Sequence, residues 1–305
     1  MYRKVRSRLG NAVRMFRSLP SAPLLVEENR FLWHETRRLN EQVRSLLAGD
    51  AIESAVQTRA SFDYQWQEMS EGAALPSDVE FMAGIGRLIC EITDLPAEWF
   101  RGKRVADIGC GMGRFTFGLL ELGAEVTACD QSEAALKRVR SLCGSYGDHL
   151  HTQEIDLLTW EASADFDLAF SFGVVHHTGN TYLAIRNVAR KVREGGRIFL
   201  MVYGWPRDRA EFAELNCYED LRQELRLEPF ARKRQILLER FGPELAHGYF
   251  DAVSPSINDL MTFEELGEVL IRLGFERPRR TLENRNLHVV ADRRHLEKDV
   301  TDPNG

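Results

Sequence analysis

The sequence predicts an α/β fold in which a mainly parallel sheet carries helices on both faces. Between about residues 100 and 205, short apolar runs typical of buried strands alternate with runs of helical periodicity. A glycine-rich turn follows the first of these strands, and every strand ends near a polar or glycine residue. Parallel strands need a long crossover, usually a helix, and ligands bind beyond their carboxyl ends, so both observations favour this class.

The first 95 residues are predicted to be helical and to form an N-terminal extension with a lid segment. Residues 1–26 hold six arginine and lysine side chains and no acid, which indicates a basic amphipathic helix. Such a helix either contacts an anionic membrane surface or a nucleic acid, or packs on its own chain or a partner. A second helix is expected over about 28–58, where leucines near heptad spacing suit either a homodimer or packing on the rest of the chain.

The alternation of strands and helices defines a domain over residues 96–293. Its strands are predicted at 104–108, 125–129, 150–155, 167–171, 197–203, 279–282 and 287–292. The last two suggest an antiparallel hairpin. Ser132 is predicted as a helix N-cap, and Thr262 with Glu265 as a capping box. Gly195 and Gly196 are expected to end the helix before the fifth strand.

Residues 204–261 depart from this pattern, because charged helical segments with scattered aromatic side chains replace the strands. We expect this segment to be an insertion that covers the pocket. Residues 294–305 read as a polar tail.

The composition of the 305-residue chain excludes several classes of protein. Its five cysteines form no C-x-x-C pair, which argues for a reducing compartment and against a zinc site. The sequence has no apolar run of about 18 residues and no secretory signal pattern, so we expect a cytoplasmic protein. The net charge is −6. Because the basic residues are concentrated at the N-terminus, the remaining body is acidic, which disfavours broad contact with nucleic acid.

The run VADIGCGMGRF carries the most information about function. Asp107 ends the first strand, and Gly109, Gly111 and Gly113 alternate after it, so the backbone can pass close to a ligand. Asp130 ends the second strand, where a carboxylate can accept hydrogen bonds from a ribose diol. An acid beside a pyrophosphate would be repelled, which disfavours a dinucleotide. An acid suits a ligand with an ammonium group.

This D-x-G-C-G-x-G-R pattern resembles the first motif of the class I S-adenosylmethionine-dependent methyltransferases. The resemblance implies a Rossmann-like, seven-stranded sheet, parallel with one antiparallel edge strand, and S-adenosylmethionine as cofactor with S-adenosylhomocysteine as product. It implies that Asp107 faces the amino-acid part of the cofactor and that Asp130 holds the ribose. Arg114 reads either as a ligand residue or as a solvated residue of the first helical turn. The cofactor contacts implied by the resemblance are Asp107, Gly109, Cys110, Gly111, Gly113, Asp130, Gln131, Asp156, Leu157, Ser171 and Phe172.

The resemblance also assigns roles on the adenine side and at the end of the fourth strand. Gln131 is placed beside the adenine edge, Asp156 accepts from the adenine amino group, and the amide of Leu157 meets the ring. Asp156 reads alternatively as a turn or cap residue. The segment SFGVVHHT is placed beside the sulfonium and the acceptor. Adjacent histidines point in different directions and have no third ligand, so His177, and after it His176, is a candidate general base rather than a metal ligand. Otherwise both line the pocket or cap the next helix.

The segment SFDYQWQ resembles an F-x-Y-Q-W lid that precedes the catalytic domain in a subset of these enzymes. The resemblance implies that Tyr64 donates to the methionyl carboxylate and that Trp66 shields the methyl group from water. The alternative is core packing of the aromatic side chains.

These observations favour a methyltransferase that acts on a hydroxyl or another nucleophile of a small, carrier-linked or lipid-linked molecule. The fourth strand lacks the N/D-P-P-Y/F tetrapeptide of many enzymes that methylate amino groups of DNA and protein, which favours a small-molecule acceptor. Two alternatives stay open: a methyltransferase of RNA or protein that docks through its basic N-terminal arm, and an inactive cofactor-binding scaffold subunit.

Overall fold

The computed structural model describes residues 22–48, 51–161 and 165–295. Residues 1–21, which hold all six basic side chains of the N-terminal segment, and most of the polar tail therefore lie outside the described residues. The expectations for the basic helix and for the tail stay predictions.

The chain divides into two compact units. One unit holds Met1–Ser54 together with Pro206–Pro229, and the other holds Ala55–Trp205 together with Phe230–Gly305. The first part of the 204–261 segment thus groups with the N-terminal helices, and the rest groups with the sheet. The domain boundaries expected from sequence stay predictions.

The larger unit contains a seven-stranded sheet in the order β3-β2-β1-β4-β5-β7-β6, which confirms the predicted fold class. Its strands are β1 (Arg104–Ile108), β2 (Glu125–Asp130), β3 (Leu150–Glu154), β4 (Phe166–Phe172), β5 (Val192–Val202), β6 (Phe275–Glu283) and β7 (Leu287–Arg293). The first five strands are parallel, and β7 is antiparallel to both of its neighbours, β5 and β6. The antiparallel strand therefore lies one position inside the edge, and it forms the predicted hairpin with β6.

The described residues form ten α-helices. They are α1 (Ala22–Ala48), α2 (Ala51–Glu68), α3 (Val79–Thr93), α4 (Arg114–Glu121), α5 (Glu133–Cys143), α6 (Thr181–Ala189), α7 (Arg209–Leu225), α8 (Phe230–Phe241), α9 (Pro243–Val253) and α10 (Phe263–Arg272). None of these helices combines the length and the apolar character needed to cross a bilayer. The second predicted helix thus corresponds to parts of α1 and α2, and the lid segment lies on α2.

Several helix ends follow directly from local sequence. The Ser132 hydroxyl accepts a hydrogen bond from the backbone of Ala135 at the start of α5, which confirms the predicted cap. Thr262 and Glu265 form the predicted capping box of α10, with reciprocal bonds of 2.8 and 3.1 Å. Each cap satisfies backbone N–H groups that a helix leaves without an internal partner.

The start of β5 differs from the prediction. Gly195 and Gly196 lie inside the strand and do not end the preceding helix, which stops at Ala189. The register between β4 and β5 shifts between Phe166 and Leu168, and Gly195 has a φ of +69°. Glycines inside a strand mark irregular pairing of this kind, so the glycine pair accompanies the register shift that lengthens β5.

Both faces of the sheet are buried under helices. The first, fourth and fifth strands contribute side chains to two apolar clusters, one packed on α6 and α10 and the other on α3 and α4. A parallel sheet covered on both sides exposes its strand ends as the place where polar groups reach solvent or a ligand.

In the smaller unit, α1 packs along α7. The rings of Phe31 and Phe212 meet edge to face at 5.5 Å. The side-chain amide of Asn216 donates to a carboxylate oxygen of Glu27 at 2.8 Å. Leu32, Trp33 and Leu39 of α1 stay about half exposed. The predicted homodimer through these helices stays a prediction.

Candidate active site

The glycine turn after β1 has a backbone that only glycine adopts without strain. Gly109 and Gly111 have φ angles of +73° and +51°. A β-carbon at Gly109 would lie 2.2 Å from Cγ2 of Val174, and one at Gly111 would lie 3.1 Å from Cζ2 of Trp66. Val174 and Trp66 therefore lie close to the backbone of the turn only because the turn carries no β-carbons, and a ligand could approach it as closely for the same reason.

The turn is tied to the neighbouring strand β2. The backbone N–H groups of Gly109 and Cys110 both donate to the carbonyl oxygen of Cys129, at 2.7 and 3.0 Å. Gly113, with a φ of +88°, ends the turn as the N-cap of α4. Cys110 is buried, and burial raises the pKa of its thiol well above its ordinary value, so this cysteine stays protonated.

Asp130 at the tip of β2 holds the turn from the other side. One carboxylate oxygen accepts from the N–H of Gly111 and the other from the N–H of Ser132, both at 2.9 Å. Burial raises the pKa of Asp130, while the two N–H donors lower it. Each carboxylate oxygen can accept more than one hydrogen bond, so the group retains capacity for two hydroxyls of a ribose.

Asp107 at the tip of β1 is 2 % exposed. It accepts a hydrogen bond of 2.6 Å from the hydroxyl of Thr116 in α4. Burial, with a smaller contribution from the charge of Asp130, raises the pKa of Asp107 to about 7, although the Thr116 bond opposes this shift. The structure thus gives Asp107 a partner inside the fold, and its predicted contact with the amino-acid part of the cofactor stays a prediction.

The residues predicted to surround adenine lie at the adjacent strand end. The N–H of Ile155 donates to the carbonyl of Asp130 at 2.9 Å, which places the end of β3 beside that of β2. Asp156 is exposed, and its carboxylate accepts from the N–H of Leu158 at 2.9 Å, so it does stabilise a turn. Leu157 is buried, and Gln131 is half-buried.

The end of β4 forms an apolar wall. The ring of Phe172 lies 4.6 Å from that of Phe115, and the guanidinium of Arg114 lies 5.7 Å from the Phe172 centroid. Ser171 is 1 % exposed, and its hydroxyl has no hydrogen-bond partner among the residues that the structure describes. Phe172 thus forms part of the wall of the site through ring contacts.

The two histidines after β4 have different surroundings. His176 is fully buried, its ring lies 4.0 Å from that of Tyr203, and burial lowers its pKa well below the ordinary value, so it is neutral. Nδ1 of His177 lies 2.8 Å from the carbonyl oxygen of Ile257. A carbonyl only accepts, so this contact puts the proton of a neutral His177 on Nδ1 and makes Nε2 the atom that can take up a proton.

The lid segment lies on α2 and reaches the glycine turn through Trp66. The ring of Phe62 on the same helix meets that of His177 at 4.9 Å, which brings the lid to the histidine loop. The ring of Tyr64 lies 5.6 Å from each of Phe230 and Phe250. This aromatic packing corresponds to the alternative reading for Tyr64, and its predicted bond to a methionyl carboxylate stays a prediction.

Sequence reasoning missed four polar residues around the site. Asp63 of the lid raises the pKa of Asp130 through its charge. Tyr203 donates from its hydroxyl to Asp251 at 3.0 Å, and His247 lies one helical turn before Asp251 on α9. The i, i+4 spacing of His247 and Asp251 could have indicated that they share one face of a helix. Their position beside Tyr203 depends on the tertiary fold.

No group of three or more histidine, cysteine, aspartate or glutamate residues could hold a metal ion in the part of the chain that the structure describes. The arrangement instead offers a side-chain-free turn, acids at two strand tips and aromatic walls. Such a site suits a cationic nucleoside ligand.

Comparisons with known proteins identify the central segment. The methyltransferase domain family matches residues 106–198, which run from β1 into β5. A ubiquinone biosynthesis O-methyltransferase of Xanthomonas oryzae pv. oryzae is 33% identical over 101 residues, which cover 32% of this chain and 42% of that protein. Its counterpart from Stutzerimonas stutzeri is 31% identical over 117 residues, or 36% of this chain and 50% of that protein. The similarity therefore spans half or less of the length of these relatives.

A similar solved structure is the 1,6-didemethyltoxoflavin-N1-methyltransferase of Burkholderia thailandensis. It is 18% identical, covers 84% of this chain and 90% of its own, and has a TM-score of 0.45.

Proposed function

We propose that this chain is a class I S-adenosylmethionine-dependent methyltransferase, and that it transfers a methyl group to a nucleophile of a small, carrier-linked or lipid-linked molecule. The match of residues 106–198 to the methyltransferase domain family supports this. The observation that carries the proposal is the contact between the Asp130 carboxylate and the N–H of Gly111, which joins a ribose-binding acid to a side-chain-free turn.

The residues present fit S-adenosylmethionine. Carboxyl groups at the tips of β1 and β2 and on the lid (Asp107, Asp130 and Asp63) complement the positive charge of its sulfonium and ammonium groups. The glycine turn carries no β-carbons, so a nucleoside thioether could approach its backbone closely. The cofactor, when bound, supplies a methyl group that the sulfonium has already activated.

The protein would contribute alignment of the acceptor with the methyl group and exclusion of water from the site. Phe62, Trp66 and Tyr203 present aromatic surface around the loop that follows β4, and such surface excludes water. Holding the acceptor in line behind the carbon–sulfur bond can lower the barrier by several kcal/mol, about 7–11 kcal/mol at best.

A hydroxyl is the acceptor group that we favour. Nε2 of His177 would take the hydroxyl proton, because Nδ1 is committed to the Ile257 carbonyl. The matched relatives are named as O-methyltransferases, which supports an oxygen acceptor. His176 is buried and neutral beside His177, so we assign it to the wall of the pocket and not to proton transfer.

We also propose a reducing, cytoplasmic location, since the cysteines that the structure describes are all free thiols. Residues 1–26 would give peripheral contact with an anionic membrane if the acceptor is lipid-linked. Deleting these residues should then reduce retention on anionic vesicles, and unchanged retention would remove this part of the proposal.

Two measurements test the proposed activity. Calorimetry should show binding of S-adenosylmethionine and S-adenosylhomocysteine and no binding of NAD. Radiolabelled methyl transfer into fractionated cell extract should then place label in a small-molecule or lipid fraction. Label confined to RNA or protein would support the docking-arm alternative, and binding without any transfer would support the scaffold alternative.

A further inference from the structure

A second polar cluster lies beside the glycine turn and is formed by three separate elements. Arg114 begins α4, Tyr203 directly follows β5, and His247 and Asp251 lie on α9. The Trp66 ring that covers Gly111 also lies 6.3 Å from the ring of His247. The cluster and the turn are therefore parts of one site.

The charge of Arg114 is only partly compensated. One of its N–H groups donates to the carbonyl of Ala74 at 2.7 Å, and its guanidinium lies over the rings of Phe81, Phe115 and Phe172 at 5.1–5.9 Å. Among the described residues, no carboxylate oxygen lies within 4.0 Å of the Arg114 guanidinium nitrogens, the distance expected for an ion pair. Burial lowers the pKa of Arg114, which reflects the cost of a sheltered cation without an anionic partner.

Asp251 supplies the opposite charge nearby. It accepts from the hydroxyl of Tyr203 at 3.0 Å, which fixes its orientation. The negative charges of Asp251 and, less strongly, Asp107 raise the pKa of Arg114, although neither carboxylate forms a direct ion pair with it. A cation and an anion that lie in one site without forming an ion pair complement a ligand that carries both an anion and a cation.

His247 adds no positive charge to this cluster. Burial lowers its pKa, the negative charge of Asp251 opposes this shift, and the positive charge of Arg114 adds to it. The imidazole is therefore neutral at pH 7. Its Nδ1 atom is buried and has no hydrogen-bond partner among the described residues, so a polar group of a ligand would satisfy it.

We propose that Arg114 and Asp251 bind the amino-acid end of S-adenosylmethionine, Arg114 through its carboxylate and Asp251 through its ammonium group. The inference rests on the proposed function and adds to it a cofactor contact supplied by α9, which lies within the segment read from sequence as an insertion. It gives the site selectivity for nucleoside thioethers that carry the amino-acid group.

Calorimetry on the full chain with two probes tests this subsite. S-adenosylhomocysteine carries the amino-acid group, and 5′-methylthioadenosine lacks it. Arg114→Gln and Asp251→Asn should each weaken binding of S-adenosylhomocysteine roughly 10- to 100-fold, the range for hydrogen bonds to charged groups. Both variants should bind 5′-methylthioadenosine as the wild type does.

Matched controls are available on α8 and α9. Arg232→Gln and Glu244→Gln change the same charges at exposed positions and should leave binding of both probes unchanged. Tyr203→Phe removes the donor to Asp251 without changing charge and should give a smaller loss for S-adenosylhomocysteine alone. It keeps the test valid if Arg114→Gln does not fold.

Three outcomes would decide against the subsite. Unchanged affinity of Arg114→Gln and Asp251→Asn for S-adenosylhomocysteine would overturn it. So would an equal loss for both probes, because the side chains would then act on the fold rather than on the amino-acid group. A wild-type chain that binds neither probe would overturn the proposed function as well.

Discussion

The carboxylate of Asp130 accepts a hydrogen bond of 2.9 Å from the backbone N–H of Gly111, so the tip of β2 holds the turn that follows β1. The acid that we propose to bind the ribose is thereby part of the structure of the turn itself. Substitution of Asp130 should affect both the fold and the cofactor.

Asp130→Ala should weaken binding of S-adenosylhomocysteine by at least about tenfold and should lower the melting temperature. The alanine leaves two backbone N–H groups without their acceptor and removes the ribose partner, and each lost bond to a charged group is worth about 1.5–3 kcal/mol. Calorimetry and thermal unfolding measure the two effects. Asp130→Asn keeps one acceptor oxygen and should lie between the wild type and the alanine variant; equal affinity in all three proteins would contradict the ribose assignment.

Gly109→Ala should destabilise the fold by roughly 1–3 kcal/mol, because the new methyl group would lie 2.2 Å from Val174 and the φ of +73° is strained for alanine. Urea titration gives the free energy of unfolding. Adding Val174→Ala should recover the part of the loss that is due to the clash.

Gly144→Ala is the control for this substitution. Its β-carbon would meet no heavy atom within 4 Å, and its φ of −61° suits any residue. We expect a change within about 0.5 kcal/mol. Comparable losses at Gly109 and Gly144 would show that the close approach to Val174 is not what requires glycine in the turn.

Asp107 should make stability depend on pH. Folding raises the pKa of Asp107 from its ordinary 3.8 to about 7, so the folded state binds this proton more tightly than the unfolded state. Its contribution is then fully present below about pH 4 and is lost as the pH rises to about 7, by up to about 4 kcal/mol. Asp107→Asn cannot titrate and should lose this dependence.

Urea titrations of the wild type and of Asp107→Asn between pH 4 and 8 isolate this contribution, because Asp130 and the other acids are common to both proteins. The wild type should lose stability relative to the variant as the pH rises. A difference that stays constant over this range would show that Asp107 keeps an ordinary pKa in the folded protein.

His177→Ala should reduce turnover by about 100-fold or more if Nε2 is the general base. The acid limb of the pH profile should disappear with the imidazole, which a merely structural role would not cause. His151→Ala, at an exposed position on β3, is the control and should keep full turnover. A loss smaller than about tenfold at His177 would exclude an essential base.

The sequence predicted the parts of the fold that short stretches of chain determine. The bounds of β1, the cap at Ser132 and the box of Thr262 with Glu265 all depend on neighbouring residues, and all are confirmed. The predicted start of β5 was wrong, because glycines that usually end a helix accompany a register shift between β4 and β5 in this protein. That pairing depends on a neighbouring strand and not on local pattern.

The site was predictable to a similar degree. The glycine turn and Asp130 belong to one strand–helix–strand unit, so their spacing alone indicated that they meet. The hydrogen bond between Tyr203 and Asp251 joins residues 48 positions apart. No local sequence pattern indicates that the segments carrying them come together. Burial of His176 and packing of Tyr64 against two phenylalanines also arise only when the helices of the larger unit come together.

A crystal structure of the protein with S-adenosylhomocysteine tests the central claim most directly. We predict the ribose hydroxyls on the carboxylate of Asp130, the thioether over the turn from Gly109 to Gly113, and the amino-acid end between Arg114 and Asp251. The nucleoside bound away from the ends of β1 and β2, or with its ribose out of reach of Asp130, would contradict the account.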